Sequence, residues 1–269
     1  MTELLGYEFF RNALIGILII SVASSVIGTY IVTRRLVSIA GGVTHACFGG
    51  LGLGYFLGIN PILMASIFAV GSSLGVEWMS SKHRVREDSA IAVIWSLGMA
   101  IGVLFVFLTP GYVPELNSFL FGNILTITRA DIATFAIFTT LLLLFVAVWF
   151  NKIVICAFDR DFARVIGLPV TTITTIMTVM IAICIVLTIK LVGIMLLMSM
   201  LSLPQMIAET RYSQIKPMMI VSAIVSAICC VGGLIAACYI DVPCSALIVI
   251  LMTITFAIAR LAAALHPNR

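Results

Sequence analysis

The apolar stretches of this chain are so long, and its charged residues so few, that almost nothing is left over to form a water-facing surface. No charged side chain occurs from Asn12 to Thr33, from Val37 to Val76, or from Ser89 to Pro114. A hydrocarbon layer near 30 Å thick needs about 20 such residues per helix, so runs like these are membrane spans. With 62% hydrophobic and 10% charged residues and a mean hydropathy of +1.24, no soluble fold could cover its own apolar surface. The backbone must then satisfy its own hydrogen bonds, which means helices. Breaks in the pattern give nine candidate spans, at 11–33, 37–58, 61–80, 90–109, 131–150, 170–189, 191–203, 217–239 and 243–265. The expected fold is all-α: a polytopic bundle of about eight or nine transmembrane helices, with residues 1–269 as a single transmembrane domain.

The N-terminus has the apolar run of a secretory signal but not its positive flank. Glu3 and Glu8 outnumber Arg11, and apolar sequence continues to Val32, so an uncleaved first helix is expected. The net charge of +4 speaks to orientation and gives no reason to expect nucleic acid as a partner. If the spans alternate, Arg34, Arg35, Lys82, Arg84, Arg86, Lys152, Arg160, Arg164, Arg211, Lys216 and Arg269 share one side. The positive-inside rule makes that side cytoplasmic, with the N-terminus outside and the C-terminus inside. Residues 110–130 then stay on the outer side, with SFLFGNILTI as an interfacial or re-entrant piece.

Lys190 and Gly193 interrupt the long run from Val170 to Leu203. A single helix of that length would overshoot the bilayer, so a broken or re-entrant helix is expected near 188–193. Lys190 reads either as lining a cavity or as snorkelling to the outer interface.

His45 is the ionisable group to explain in RRLVSIAGGVTHACFGGLGLGYFLGINP, the segment from Arg34 to Pro61. Such a group at membrane depth lies on a substrate path or in a satisfied helix contact. Around it Gly42, Ala46, Gly50, Gly54 and Gly58 recur every fourth residue, a stripe of small residues where another backbone can approach. The seven cysteines include no C-x-x-C pair and read as buried reduced thiols, with Cys47 on a different helix face from His45.

Several segments resemble one family. RRLVSIAGGVTHACFGG is similar to the R-R-x-x-x-x-G-D-A-x-S-H-A segment of the ABC transporter permeases that import zinc, manganese or iron, with Thr44-His45-Ala46 at its Ser-His-Ala. REDSAIAVIWSLGMAIGV resembles the family's E-D-x-x-I-G segment, FLFGNILTITRAD its L-x-G-N-I-L…D segment, and FDRDFARVIGLPV its F-D…A-x-x-x-G segment. LVGIMLLMSMLSLPQMIA and AACYIDVPCSALIVIL resemble two further stretches, and the order of the set holds over roughly residues 9–265.

The resemblance implies the fold of the cobalamin- and siderophore-type ABC importer permeases. It also implies a homodimer that forms the translocation path, a separate cytoplasmic ATPase dimer and an extracytoplasmic metal-binding protein. The divalent metal ion is substrate, with no permanently bound cofactor. ATP is used by the partner subunit, since this chain has no G-x-x-x-x-G-K-[ST] of its own and is not expected to be an enzyme. The resemblance makes His45 a transient pathway ligand or gate. It makes the segment holding Pro204, Gln205, Ala208, Glu209 and Arg211 a short coupling helix that docks on the ATPase. Gly41 replaces the family's acidic residue one turn before the histidine, so the two-ligand site is incomplete. Glu77, Glu115, Asp131 and Asp241 are other acids that could contribute, although Asp131 and Asp241 at span ends read first as helix caps. Asp159-Arg160-Asp161 with Arg164, and Lys82 to Asp88, read as solvated cytoplasmic surface.

The alternative is an ion-gradient-driven secondary carrier working through His45 and Lys190, against which the spans show no paired acids and bases. An intramembrane enzyme finds less support still, because H-E-x-x-H and G-x-S-x-G are absent.

Overall fold

The computed structural model describes residues 6–83, 85–110, 122 and 124–265. Glu3, Arg84, Glu115 and Arg269, and most of SFLFGNILTI before Ile124, lie outside the described residues, so the expectations placed on them are not followed further. Helix dominates and no strand occurs among the described residues.

In chain order the helices are α1 Glu8–Thr33, α2 Val37–Leu57, α3 Pro61–His83 and α4 Glu87–Leu108, then a 3-10 turn at Ile124–Thr126. They continue as α5 Arg129–Phe158, α6 Arg160–Val165, α7 Val170–Met200, α8 Leu203–Glu209, α9 Ile215–Ile240 and α10 Cys244–Leu265. Among the described residues eight helical stretches are long and apolar enough to cross a membrane, within the expected eight or nine. The expected spans 170–189 and 191–203 fall in one 40-residue stretch of that count, Val170–Glu209, which is interrupted inside. Thr188 to Lys190 stay helical, and the ladder breaks only at Gly193, with φ 78° and ψ 173°. Glycine alone reaches that backbone region without a steric cost, so the break sits there and not at the lysine.

The punctuation between helices is readable residue by residue. Gly58 ends α2 in the left-handed region (φ 66°), its N–H donating to Tyr55 O while the Ile59 N–H donates to Gly54 O. Asn60 then starts α3: its Oδ1 accepts from the Ile62 and Leu63 N–H groups, with Pro61 at the first helical position. Thr128 and Asp131 cap α5 reciprocally, Thr128 Oγ1 accepting from Asp131 N and Asp131 Oδ2 accepting from Thr128 N. Asp241 differs from expectation. It is not an N-cap but the left-handed C-cap of α9 (φ 58°), a conformation aspartate tolerates better than most residues.

The chain divides into two compact units. One draws on the described parts of Met1–Thr33, Asn117–Val148 and Leu191–Arg269; the other on those of Arg34–Leu116 and Trp149–Lys190. In the first unit α9 packs on α1, α10 and α8. Polar side chains buried on α1 turn back on their own helix, Ser21, Ser25 and Thr29 donating to the carbonyls of Ile17, Ser21 and Ser25. Their hydroxyls are thereby satisfied without a partner helix, leaving small surfaces free to pack.

The second unit is organised around α2, which packs on α3 and α4. Small residues decide how close the backbones come. A Cβ at Gly98 would lie 2.5 Å from Ala46 Cα, and one at Gly52 would lie 2.5 Å from Gly102 O. Main chain therefore rests on main chain. Without a hydrophobic force between helices in lipid, this van der Waals fit is what drives association.

Candidate functional site

His45 lies on α2, facing α4 within the second unit. Its Nδ1 is 3.2 Å from Met99 Sδ, and its ring stacks on Trp95 with centroids 4.5 Å apart and planes inclined by 14°. Trp95 and Met99 are four residues apart on α4, so they occupy one face, and Gly98 between them lets α2 come close enough for the contact. His45 and Met99 are half-buried and Trp95 is 37% exposed, so the trio borders a surface of the unit. No group of three or more His, Cys, Asp or Glu side chains that could hold a metal ion occurs among the described residues. Gly41, at the position of the family's acid, is buried and offers only backbone.

The stripe of small residues behaves differently from the single contact line read in the sequence. Four residues on a helix with 3.6 per turn advance by about 40°, so a period-four stripe winds slowly around it. Gly42 meets Ile91 and Ala46 meets Gly98, both on α4. By Gly50 and Gly54 the stripe faces α3, where added Cβ atoms would fall 2.5 Å from Met64 O and 2.8 Å from Pro61 Cα. Gly58 is no packing residue: it is the helix stop, and nothing lies within 4 Å of its Cβ position. Gly49 and Gly52, outside the stripe, make contacts with Gly98 and Gly102 that are just as close.

The segment after Pro204 forms the short helix α8, with Pro204 in its first turn. Gln205 is fully buried and Ala208 is 1% exposed, and Pro204 is buried too. Of the segment expected to form a coupling helix, these three side chains are thus covered within the unit. Gln205 Nε2 donates to Ser24 O (3.2 Å) and Met200 O (3.1 Å), tying α8 to α1 and to the end of α7. Glu209 and Arg211, followed by Tyr212, are exposed at the end of α8.

Two other polar groupings stand out. In the second unit Glu87 Oε1 accepts from Arg34 Nη2 at 3.0 Å and pairs with Arg160 Nη2 at 3.3 Å. The Arg34 side chain is only 8% exposed, so Glu87 and Arg160 are not the freely solvated charges their surroundings suggested. On α3, Glu77 Oε1 accepts from Thr174 Oγ1 (2.8 Å) and Thr175 Oγ1 (3.3 Å), while its buried Oε2 has no hydrogen-bond partner. In the first unit Gly122, with φ 63°, packs against Val192 and Gly193 at the helix break. It shares a cavity of about 250 Å³ with Ile124, Cys238, Asp241, Cys244 and Ser245.

The profile of the ABC 3 transport family matches residues 6–263. The chain belongs to this family. A "probable metal transport system membrane protein" of Chlamydia pneumoniae is 36% identical over 86% of this chain and 81% of its own length. The manganese transport system membrane protein MntC of Listeria monocytogenes is 26% identical over 96% and 92%. Among solved structures, a chain of PsaBC from Streptococcus pneumoniae in complex with Fab superposes with a TM-score of 0.82 at 24% identity, covering 96% of this chain and 94% of that one. The last likeness establishes the fold, that of a polytopic ABC permease.

As a multi-pass bacterial membrane protein of the ABC 3 family, the chain carries features its sequence alone did not single out. Trp95 and Met99 were available as an i, i+4 pair, but nothing local ties that pair to His45 across 54 residues. Gln205 could have been suspected of burial from its place between Pro204 and the apolar Met206-Ile207-Ala208. Its partners on α1 lie 181 residues away and leave no local trace.

Proposed function

We propose that residues 1–269 form one transmembrane permease domain that pairs with a second copy of itself to line the translocation path of an ATP-driven, binding-protein-dependent importer of divalent metal ions. The family match along almost the whole chain carries this reading. Relatives named for metal and manganese transport support the substrate class. ATP hydrolysis falls to a separate cytoplasmic ATPase dimer, and metal is delivered by an extracytoplasmic binding protein. With the chain turning back at the Gly193 break, so that 170–189 and 191–203 cross separately, the positive-inside pattern supports an N-terminus outside and a C-terminus in the cytoplasm.

Within this reading each region has a task. His45, partly exposed beside Trp95 and Met99, is a transient ligand or gate for the passing ion. One imidazole with no acid one turn below it holds a divalent ion only weakly, which suits passage better than storage. Gly42, Ala46, Gly50 and Gly54 keep α2 close to α4 and α3, so the imidazole is carried on a stiff support. At α8, Glu209 and Arg211 are the exposed charges that meet the ATPase, while Pro204, Gln205 and Ala208 anchor the helix from behind. ATP-driven closure of the ATPase dimer would move α8 and bias the two permease copies between inward- and outward-facing states.

The test is metal uptake in cells carrying the transporter. Uptake that stops on ATP depletion but continues with a protonophore, and an ATPase that co-purifies with the chain, are the expected results. Uptake abolished by the protonophore alone would select a secondary carrier instead. A His45→Ala protein that assembles normally should transport well below the wild-type rate; an unchanged rate would remove His45 from the path.

A further inference from the structure

The atom that faces His45 Nδ1 is a thioether sulfur. His45 Nδ1 and Met99 Sδ are 3.2 Å apart. For a metal–nitrogen bond of about 2.0–2.1 Å and a somewhat longer metal–thioether bond, donors at that separation subtend roughly a right angle at a shared ion. Two donors can thus meet one ion with little rearrangement. Trp95 stacked on the imidazole holds the ring plane, and the main-chain contact between Ala46 and Gly98 fixes the distance between the two helices on which the donors sit. Among the described residues no group of three or more His, Cys, Asp or Glu side chains surrounds them: position 41 is glycine, and Glu77 Oε1 accepts from Thr174 and Thr175.

We propose that His45 Nδ1 and Met99 Sδ together form a nitrogen–sulfur pair that contacts the passing ion and selects a thiophilic divalent cation, zinc foremost, over manganese. The inference rests on the metal-importer reading for its substrate and adds Met99 as a ligand and specificity-determining residue. Thioether and imidazole donors suit the softer late first-row ions, whereas manganese prefers carboxylate, carbonyl and water oxygen. A pair of neutral donors also leaves the ion's charge uncompensated, so its stay is brief. In the ion-free state Nδ1–H can donate to Sδ, and arrival of the ion replaces that hydrogen bond with two coordinate bonds. The proton moves to Nε2, which gives the neutral tautomer with a free lone pair on Nδ1.

X-ray absorption at the zinc edge tests this, on the full transporter complex in lipid nanodiscs loaded with one equivalent of Zn²⁺. The expected spectrum contains imidazole nitrogen and one sulfur at a distance longer than the roughly 2.3 Å of a cysteine thiolate. In Met99→Leu the sulfur should vanish, the nitrogen should remain, and the preference for Zn²⁺ over Mn²⁺ in competition should fall at least about tenfold, the loss that even an outer-shell change costs. A wild-type spectrum without sulfur overturns the pair, leaving only a hydrogen bond, and it decides the matter even if the variant fails to assemble. Sulfur that persists in Met99→Leu assigns it to a cysteine and also overturns the proposal. Should cells show no ATP-dependent metal uptake while the sulfur signal appears and depends on Met99, the importer reading falls and the nitrogen–sulfur pair stands.

Discussion

Gln205 fills the space that Gly28 leaves empty: a Cβ at position 28 would collide with the Gln205 side-chain amide and would stand 2.7 Å from Leu201 O. The amide reaches that position to donate to Ser24 O and Met200 O. One glycine on α1 and one glutamine on α8 therefore define a single joint.

Gly28→Ala should destabilise the protein by about 1–3 kcal/mol through overpacking. Gln205→Ala should cost about 1–2 kcal/mol by leaving two carbonyls short of a donor. Because both changes act on one joint, the double variant should cost less than their sum. Thermal unfolding in detergent reads all three; strict additivity would mean that the two residues do not share the joint.

Main-chain contact between α2 and α4 makes Gly98 far more sensitive than glycines that face open space. Gly98→Ala would press a methyl group into the Ala46 backbone and is expected to cost about 1–3 kcal/mol or more. Gly71, on α3, has nothing within 4 Å of its Cβ position, so Gly71→Ala should gain about 0.5–1 kcal/mol from helix propensity alone. Opposite signs are the result to look for in melting temperatures measured side by side.

At Glu87, neutralisation by Glu87→Gln should leave Arg34 short of its carboxylate while Arg160 turns to water. Arg34 is almost fully covered, but Glu87 and Arg160 remain partly solvated. The expected loss is thus about 1–3 kcal/mol, below that of a fully buried pair. Arg160→Gln should cost less than Arg34→Gln, and the reverse order in denaturation would contradict the burial ranking.

For α8, charge reversal at Glu209 or Arg211 should leave folding intact, since both are exposed, yet lower transport per ATP hydrolysed in proteoliposomes. Changes at Gln205 should instead reduce stability and coupling together. Unimpaired coupling after both reversals would argue against ATPase docking at this helix.

The bundle was legible because membrane spans depend on run length, which sequence displays directly; Asn60-Pro61 and Gly58 likewise mark their own turns. The break at Gly193 was placed within five residues, although the sequence pointed to Lys190 as strongly as to the glycine. What stayed hidden were pairings across distance. Met99 is an unremarkable span residue until α4 is laid on α2, and Pro204, Gln205 and Ala208 look as available for docking as Glu209 until burial separates them. The period-four stripe was a real pattern with an incomplete reading, because a row of small residues winds and so serves two neighbours in turn.

Where α2 and α4 touch through Ala46 and Gly98, there are no side chains to repack and so no slack to absorb motion. The two helices are geared together: a rotation of one must be a rotation of both. Whatever tilts α4 also carries the His45 imidazole with it, and so keeps the spacing between His45 Nδ1 and Met99 Sδ. On the proposed pathway, the ion would leave through a change in what surrounds the pair, with the pair itself left closed.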